Sequence, residues 1–155
     1  MDLLDYLLFS FWFVVIHTGV YTFAGMISLK ISEDLYEERD RMLDYLRDMS
    51  DEKESEQVEM YFIPAQLVRG LLMSVVLYPL LGILGDISFL LRFAFLAGLM
   101  FVFTDFASAV PFPGNIEGFV YMKKRYLEIE SFWKLYFEMI IYSILFGLLA
   151  GWFLF

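Results

Sequence analysis

The chain has 155 residues, no cysteine and a formal charge of −9, with 60% hydrophobic and 20% aromatic residues. An apolar share so far above the roughly 45–50% of soluble domains excludes a soluble domain and points to an integral membrane protein built as one domain, residues 1–155. Lack of cysteine excludes disulfides, thiolate catalysis and Cys-ligated metals, and lack of a concentrated basic face excludes a nucleic-acid partner.

The fold expected is all-α: four transmembrane helices, an acidic cytoplasmic amphipathic helix between spans one and two, and a short interfacial helix before span four. A crossing needs about 20 mostly apolar residues. The first such stretch, Leu3 to Leu29, carries one formal charge, Asp5, near its start. It has neither a basic leader nor a small-residue cleavage site, so it is expected to be a retained span and not a signal peptide. Ser10, His17, Tyr21 and Ser28, spaced by seven, four and seven residues, share one side of this helix and are expected to face inward.

Residues 31–60 follow as the acidic connection; 12 of the chain's 20 acidic residues lie between Glu33 and Glu59. Ser32 suits an N-cap, with Glu33 and Asp34 favouring the first turn through the helix dipole. Leu35, Met42, Leu46 and Met49 form a narrow apolar stripe that needs a cover. That cover is the protein itself, a symmetry mate, or a separate cytoplasmic or membrane protein partner. Asp51 to Glu56 lacks the alternating ligands and the central glycine of a calcium loop and is expected to be a solvated turn. No metal and no cofactor are expected.

Span two is placed at residues 61–84, with Arg69, Pro64 and Pro79 inside it, and span three at 87–110, with Arg92 and Asp105. The short connection Gly85 to Ser88 implies a tight hairpin between them, with Gly85 stopping one helix and Asp86 capping the next. Arg92 is expected to snorkel or to pair with Asp86. Pro111 to Asn115 must break the helix. Residues 116–130 then form the interfacial helix, with Lys123, Lys124 and Arg125 toward lipid headgroups.

Span four, 132–155, carries Lys134 and Glu138 and the small-residue stripe Ser143, Gly147 and Gly151; Ala94 and Gly98 form a shorter stripe in span three. Such stripes point to helix packing and, in a bundle of four, to a homo-oligomer.

Basic residues in connections 30–60 and 111–131 place both of these on the cytoplasmic side, with both termini outside. Counting depth at 1.5 Å per residue from each outer end puts His17 and Arg69 roughly 21 and 22 Å deep and Asp105 and Glu138 roughly 27 and 26 Å deep. Charges so placed need partners or water. Arg69 is expected to hold Asp105 in a bidentate pair. The resulting polar layer, His17, Arg69, Asp105 and Glu138, is either a structural lock or part of an ion or proton path.

Two other function classes remain open. An accessory or assembly subunit of a larger complex would dock through the acidic helix. An enzyme acting on lipid headgroups would use Asp105, Asn115 and the basic run 123–125, but no catalytic motif accompanies these residues, and the reading leans against an enzyme with no catalytic residue assigned.

Overall fold

The computed structural model of the chain describes residues 2–32, 35, 43–127 and 129–155, the side chains of 129–132 excepted. No strand occurs among these residues, and four helices are long and apolar enough to cross a membrane.

Span one is α1 (Leu3–Ile31). Asp2 and Asp5 start it with a reciprocal capping box, in which each backbone N–H donates to the other's carboxylate, at 2.8 and 3.0 Å. At its far end Ser32 closes α1, its N–H donating to Ser28 O at 2.9 Å, where it had been expected to open the acidic helix. Residues 33–34 and 36–42, including Met42 of the proposed stripe, lie outside the described residues. Residues 43–50 are turns and bends with no helix among them. The chemistry is local: Asp48 Oδ1 accepts the Ser50 N–H at 2.9 Å, and Asp51 then caps a new helix by accepting from Lys53 and Glu54 N–H, each at 3.0 Å. The acidic run from Glu52 therefore belongs to the first turns of span two, α2 (Glu52–Leu77), where its carboxylates meet the positive end of the helix dipole.

Span two continues through a 3-10 turn (Tyr78–Leu80) at Pro79 into α3 (Leu81–Asp86). Asp86 is the last helical residue there; the cap of the next helix is Ser88, which accepts from Leu91 N–H at 3.5 Å. Span three is α4 (Phe89–Gly98) followed by a π-helical stretch, Leu99–Phe106. The expected interfacial helix is shorter than its sequence pattern and divided: α5 (Ile116–Tyr121) ends before a separate 3-10 turn, Lys124–Tyr126. Span four is α6 (Ile129–Phe153).

Helix order in space differs from the hairpin expectation. Span two packs along span one, span one along span four, and span four along span three, whereas spans two and three, though joined by residues 87–88 alone, form no comparable pair. Small residues select these partners. A Cβ on Gly70 of α2 would stand 3.0 Å from His17 Cδ2 and 3.3 Å from Val14 Cα, and one on Gly147 of α6 would stand 2.9 Å from Ala97 Cβ and 3.1 Å from Phe93 O. Helix backbones approach closely only where such side chains are missing.

Near the chain termini the core is closed by aromatic and aliphatic side chains, with Phe13 edge-on to Phe146 at 5.1 Å and Leu77, Leu96, Met100 and Ala150 around them. At the opposite end, Leu35, Leu43 and Leu135 form a second cluster with Leu46 and Phe112. Leu35 and Leu46 of the acidic connection's apolar stripe are thus covered by Leu135 of span four and Phe112 of the connection 111–131.

Candidate functional site

Between the two clusters lies a cavity of about 660 Å³ that all four spans line: Tyr21 and Gly25 from α1, Phe62 and Arg69 from α2, Thr104 and Asp105 from the π-helical stretch, and Tyr136 and Glu138 from α6. The connections close its other side with Leu46, Arg47, Phe112 and Asn115. Its walls are mostly apolar, with a few convergent polar groups, which is the usual make-up of a small-molecule site.

Span one contributes the inward face that its spacing indicates. Ser10, His17, Ala24 and Ser28 are buried, and Tyr21 lies beside them. Gly25, one position from that face, leaves room for Glu138, whose Oε1 would lie 3.9 Å from a Cβ there. The guanidinium of Arg69 sits over the ring of Tyr21, 5.2 Å from its centre, as expected for a cation held against an aromatic face.

Span three reaches the cavity through its changed helical pitch. A π-helix bonds i to i+5, as in the 2.7 Å bond from Ala107 N–H to Val102 O, and the rings of Phe101 and Phe106, five residues apart, stack within 6° of parallel. The Thr104 hydroxyl turns back to donate to Met100 O. Widening the last turns in this way brings the neighbours Thr104 and Asp105 to one cavity wall.

Of the four residues of the expected polar layer, Arg69, Asp105 and Glu138 line this cavity together, and His17 does not. His17 is fully buried above it, toward the termini. Its Nδ1 shares a 2.7 Å hydrogen bond with the Tyr142 hydroxyl, which in turn lies 3.4 Å from Met100 sulfur. The His17 Nε2 and the Oε1 of Gln66 on α2 are both buried without a hydrogen-bond partner among the described residues. The anticipated Arg69–Asp105 ion pair is not formed: among the described residues the direct ion pair is Arg125–Asp44, at 3.3 Å. Arg69 has the Tyr21 ring where a carboxylate had been expected.

The remaining assigned residues serve packing. Ser143, Gly147 and Gly151 are all buried, with Gly147 and Gly151 against Phe89, Phe93 and Ala97 of α4. Ala94 is exposed and Gly98 has open space around it, so span three meets span four through the neighbouring Phe93 and Ala97 face. Lys123, Lys124 and Arg125 are exposed and lie outside the cavity lining. Arg125 reaches Asp44 instead, and the Tyr126 hydroxyl donates to the same carboxylate at 2.7 Å, tying the two connections together.

Asn115 touches the cavity but its side chain is occupied. Oδ1 accepts from Phe112 and Gly118 N–H at 3.1 and 2.7 Å, and Nδ2 donates to Val110 O at 2.7 Å. It holds the PFPGN turn, in which Gly114 takes φ +91 and its carbonyl accepts from the Tyr136 hydroxyl.

Arg92 is the residue whose placement the sequence least indicates. Far from snorkelling, it is buried and donates to four carbonyls: Leu84 at 2.6 Å, Gly151 at 3.0 Å, Gly85 at 3.1 Å and Ile87 at 2.9 Å. Three belong to the end of span two and one to span four, so a single guanidinium neutralises helix C-termini that would otherwise leave carbonyls unpaired.

No group of three or more His, Asp or Glu able to hold a metal occurs among the described residues. Comparison with protein-family models, curated proteins and solved structures finds no match.

Proposed function

We propose that this small multi-pass membrane protein binds a small ionic or dipolar solute in the cavity, which is hydrated from the side of the two long connections. One observation carries the reading. Arg69, Asp105 and Glu138, drawn from three different spans, line one space without a direct ion pair among them. Leaving such charges dry would cost several kcal/mol each, so water or a ligand must complete their shells. A structural lock would have paired them.

The basic residues of the connections favour the cytoplasm as the side from which solute enters. Toward the other side Phe13, Tyr142 and Phe146 fill the bundle, which argues for a binding site, or the inner vestibule of an ion or solute path, over a continuously open pore. The small-residue stripe of span four is used within the protomer, so association of copies would have to employ the exposed apolar faces of spans one and two.

Because the natural sequence has no cysteine, Thr104→Cys would supply a single thiol on the cavity wall. An impermeant thiol reagent should label it in sealed vesicles from the connection side only, while Ala150→Cys, in the closed core, stays unlabelled. Failure to label Thr104→Cys from either side would mean a dry layer and return the polar residues to a structural role.

A further inference from the structure

Because spans two and three do not pack along each other, the bundle is open along one flank, and a second space lies there. A groove of about 790 Å³ runs along the outer face of α2, lined by Tyr61, Pro64, Ala65, Val68, Leu72 and Met73, and Arg69 and Thr104 belong both to it and to the charged cavity. Apolar groove and polar cavity therefore meet at these two side chains.

We propose that the two spaces together hold one membrane lipid with a zwitterionic phosphoammonium headgroup, its acyl chain in the groove between spans two and three and its headgroup in the cavity. The inference rests on the cavity being a hydrated binding site, as argued above. Continuity is the first argument: an apolar groove on the outer face of α2 that shares a guanidinium with a polar cavity joins the two polarities a lipid carries, tail and phosphate.

Charge is the second. The cavity carries Arg47 and Arg69 against Asp105 and Glu138, formally balanced yet without a direct ion pair among the described residues. An anionic headgroup would satisfy Arg69 and leave two carboxylates facing like charge. A headgroup bearing both signs satisfies each: the phosphate accepts from the Arg69 guanidinium, and the ammonium goes to Asp105 and Glu138. Tyr136, on the same wall, adds aromatic surface suited to a cation.

The test is native mass spectrometry of the intact protein in a non-ionic detergent. Dioleoyl phosphatidylethanolamine, dioleoyl phosphatidylglycerol and free phosphoethanolamine are added in parallel. The ethanolamine lipid should be retained at least tenfold better than the glycerol lipid and than the free headgroup, with one lipid per chain. Arg69→Gln should abolish that preference. Ala65→Trp, which fills the groove from an exposed position and replaces none of the charged residues, should lower lipid retention at least fivefold while Thr104→Cys in the same background still labels from the connection side.

Equal retention of the two lipids would overturn the headgroup assignment. Free phosphoethanolamine binding as well as the lipid, or Ala65→Trp leaving retention unchanged, would overturn the groove as an acyl-chain site and leave a solute-binding cavity. Loss of Thr104→Cys labelling in the unaltered background would instead remove the hydrated cavity on which both rest.

Discussion

Gly70 of span two lies directly against His17 of span one, so close that a Cβ would come within 3.0 Å of the imidazole. The same contact fixes where the histidine sits: pressed between α2 and Tyr142, it is held above the cavity and kept from lining it. Gly70→Ala should destabilise the protein by about 1–3 kcal/mol through overpacking, and Gly147→Ala, which meets Ala97 and Phe93, by a similar amount. Thermal unfolding in detergent reads both. A Gly70→Ala variant as stable as the parent would mean that spans one and two are not closely apposed there.

Arg92→Leu should cost about 3–5 kcal/mol, because four carbonyls lose one charged donor at once. Arg92→Lys should recover only part of this, since a point charge with three donors cannot reproduce the planar fork. If lysine restores full stability, the guanidinium geometry is not what holds the ends of spans two and four.

Arg69 and Asp105 are expected to act nearly independently. In a double-mutant cycle of Arg69→Gln and Asp105→Asn, the interaction energy should stay below about 1 kcal/mol. A closed ion pair would reveal itself as about 3 kcal/mol or more. Such a value would contradict a cavity that keeps the two charges apart.

At the connection end, burial and, secondarily, the neighbouring Tyr126 and Asp44 push the Tyr45 phenol from 10.0 up to about 12. Between those values the folded chain binds the Tyr45 proton more tightly than the unfolded chain, so stability falls as pH rises from 10 to 12 and this group has no influence at neutral pH. Tyr45→Phe should flatten part of that decline in thermal unfolding, and Asp44→Asn should move the midpoint down. An unchanged alkaline profile in Tyr45→Phe would show that the phenol is not held by the fold.

Much of the site was legible one helix at a time. Helical spacing alone puts Ser10, His17, Tyr21 and Ser28 on one face, and depth counting groups His17, Arg69, Asp105 and Glu138, of which the structure brings all but His17 to one cavity. What a single helix does not reveal is its neighbour. Ala94 and Gly98 have the same small-residue pattern as Ser143, Gly147 and Gly151, yet the turn of α4 presents Phe93 and Ala97 to span four. A short connection guarantees that two helices are joined and says nothing about their lateral packing, which is why spans two and three were expected together. The π-helical turns at Leu99–Phe106 carry no propensity signal, and Arg92 has the same local sequence whether it snorkels or binds carbonyls.

The spatial order of the helices also bears on how the bundle is made. Spans one and two are neighbours in time as well as in space, and can pair as soon as the second has been made. Span three must wait, because the helix it packs against is synthesised after it. A chain truncated before residue 129 should therefore show spans one and two crosslinked and span three without its packing partner. Its Asp105 would then lack the cavity wall of Tyr136 and Glu138 until Gly147 arrives to receive α4.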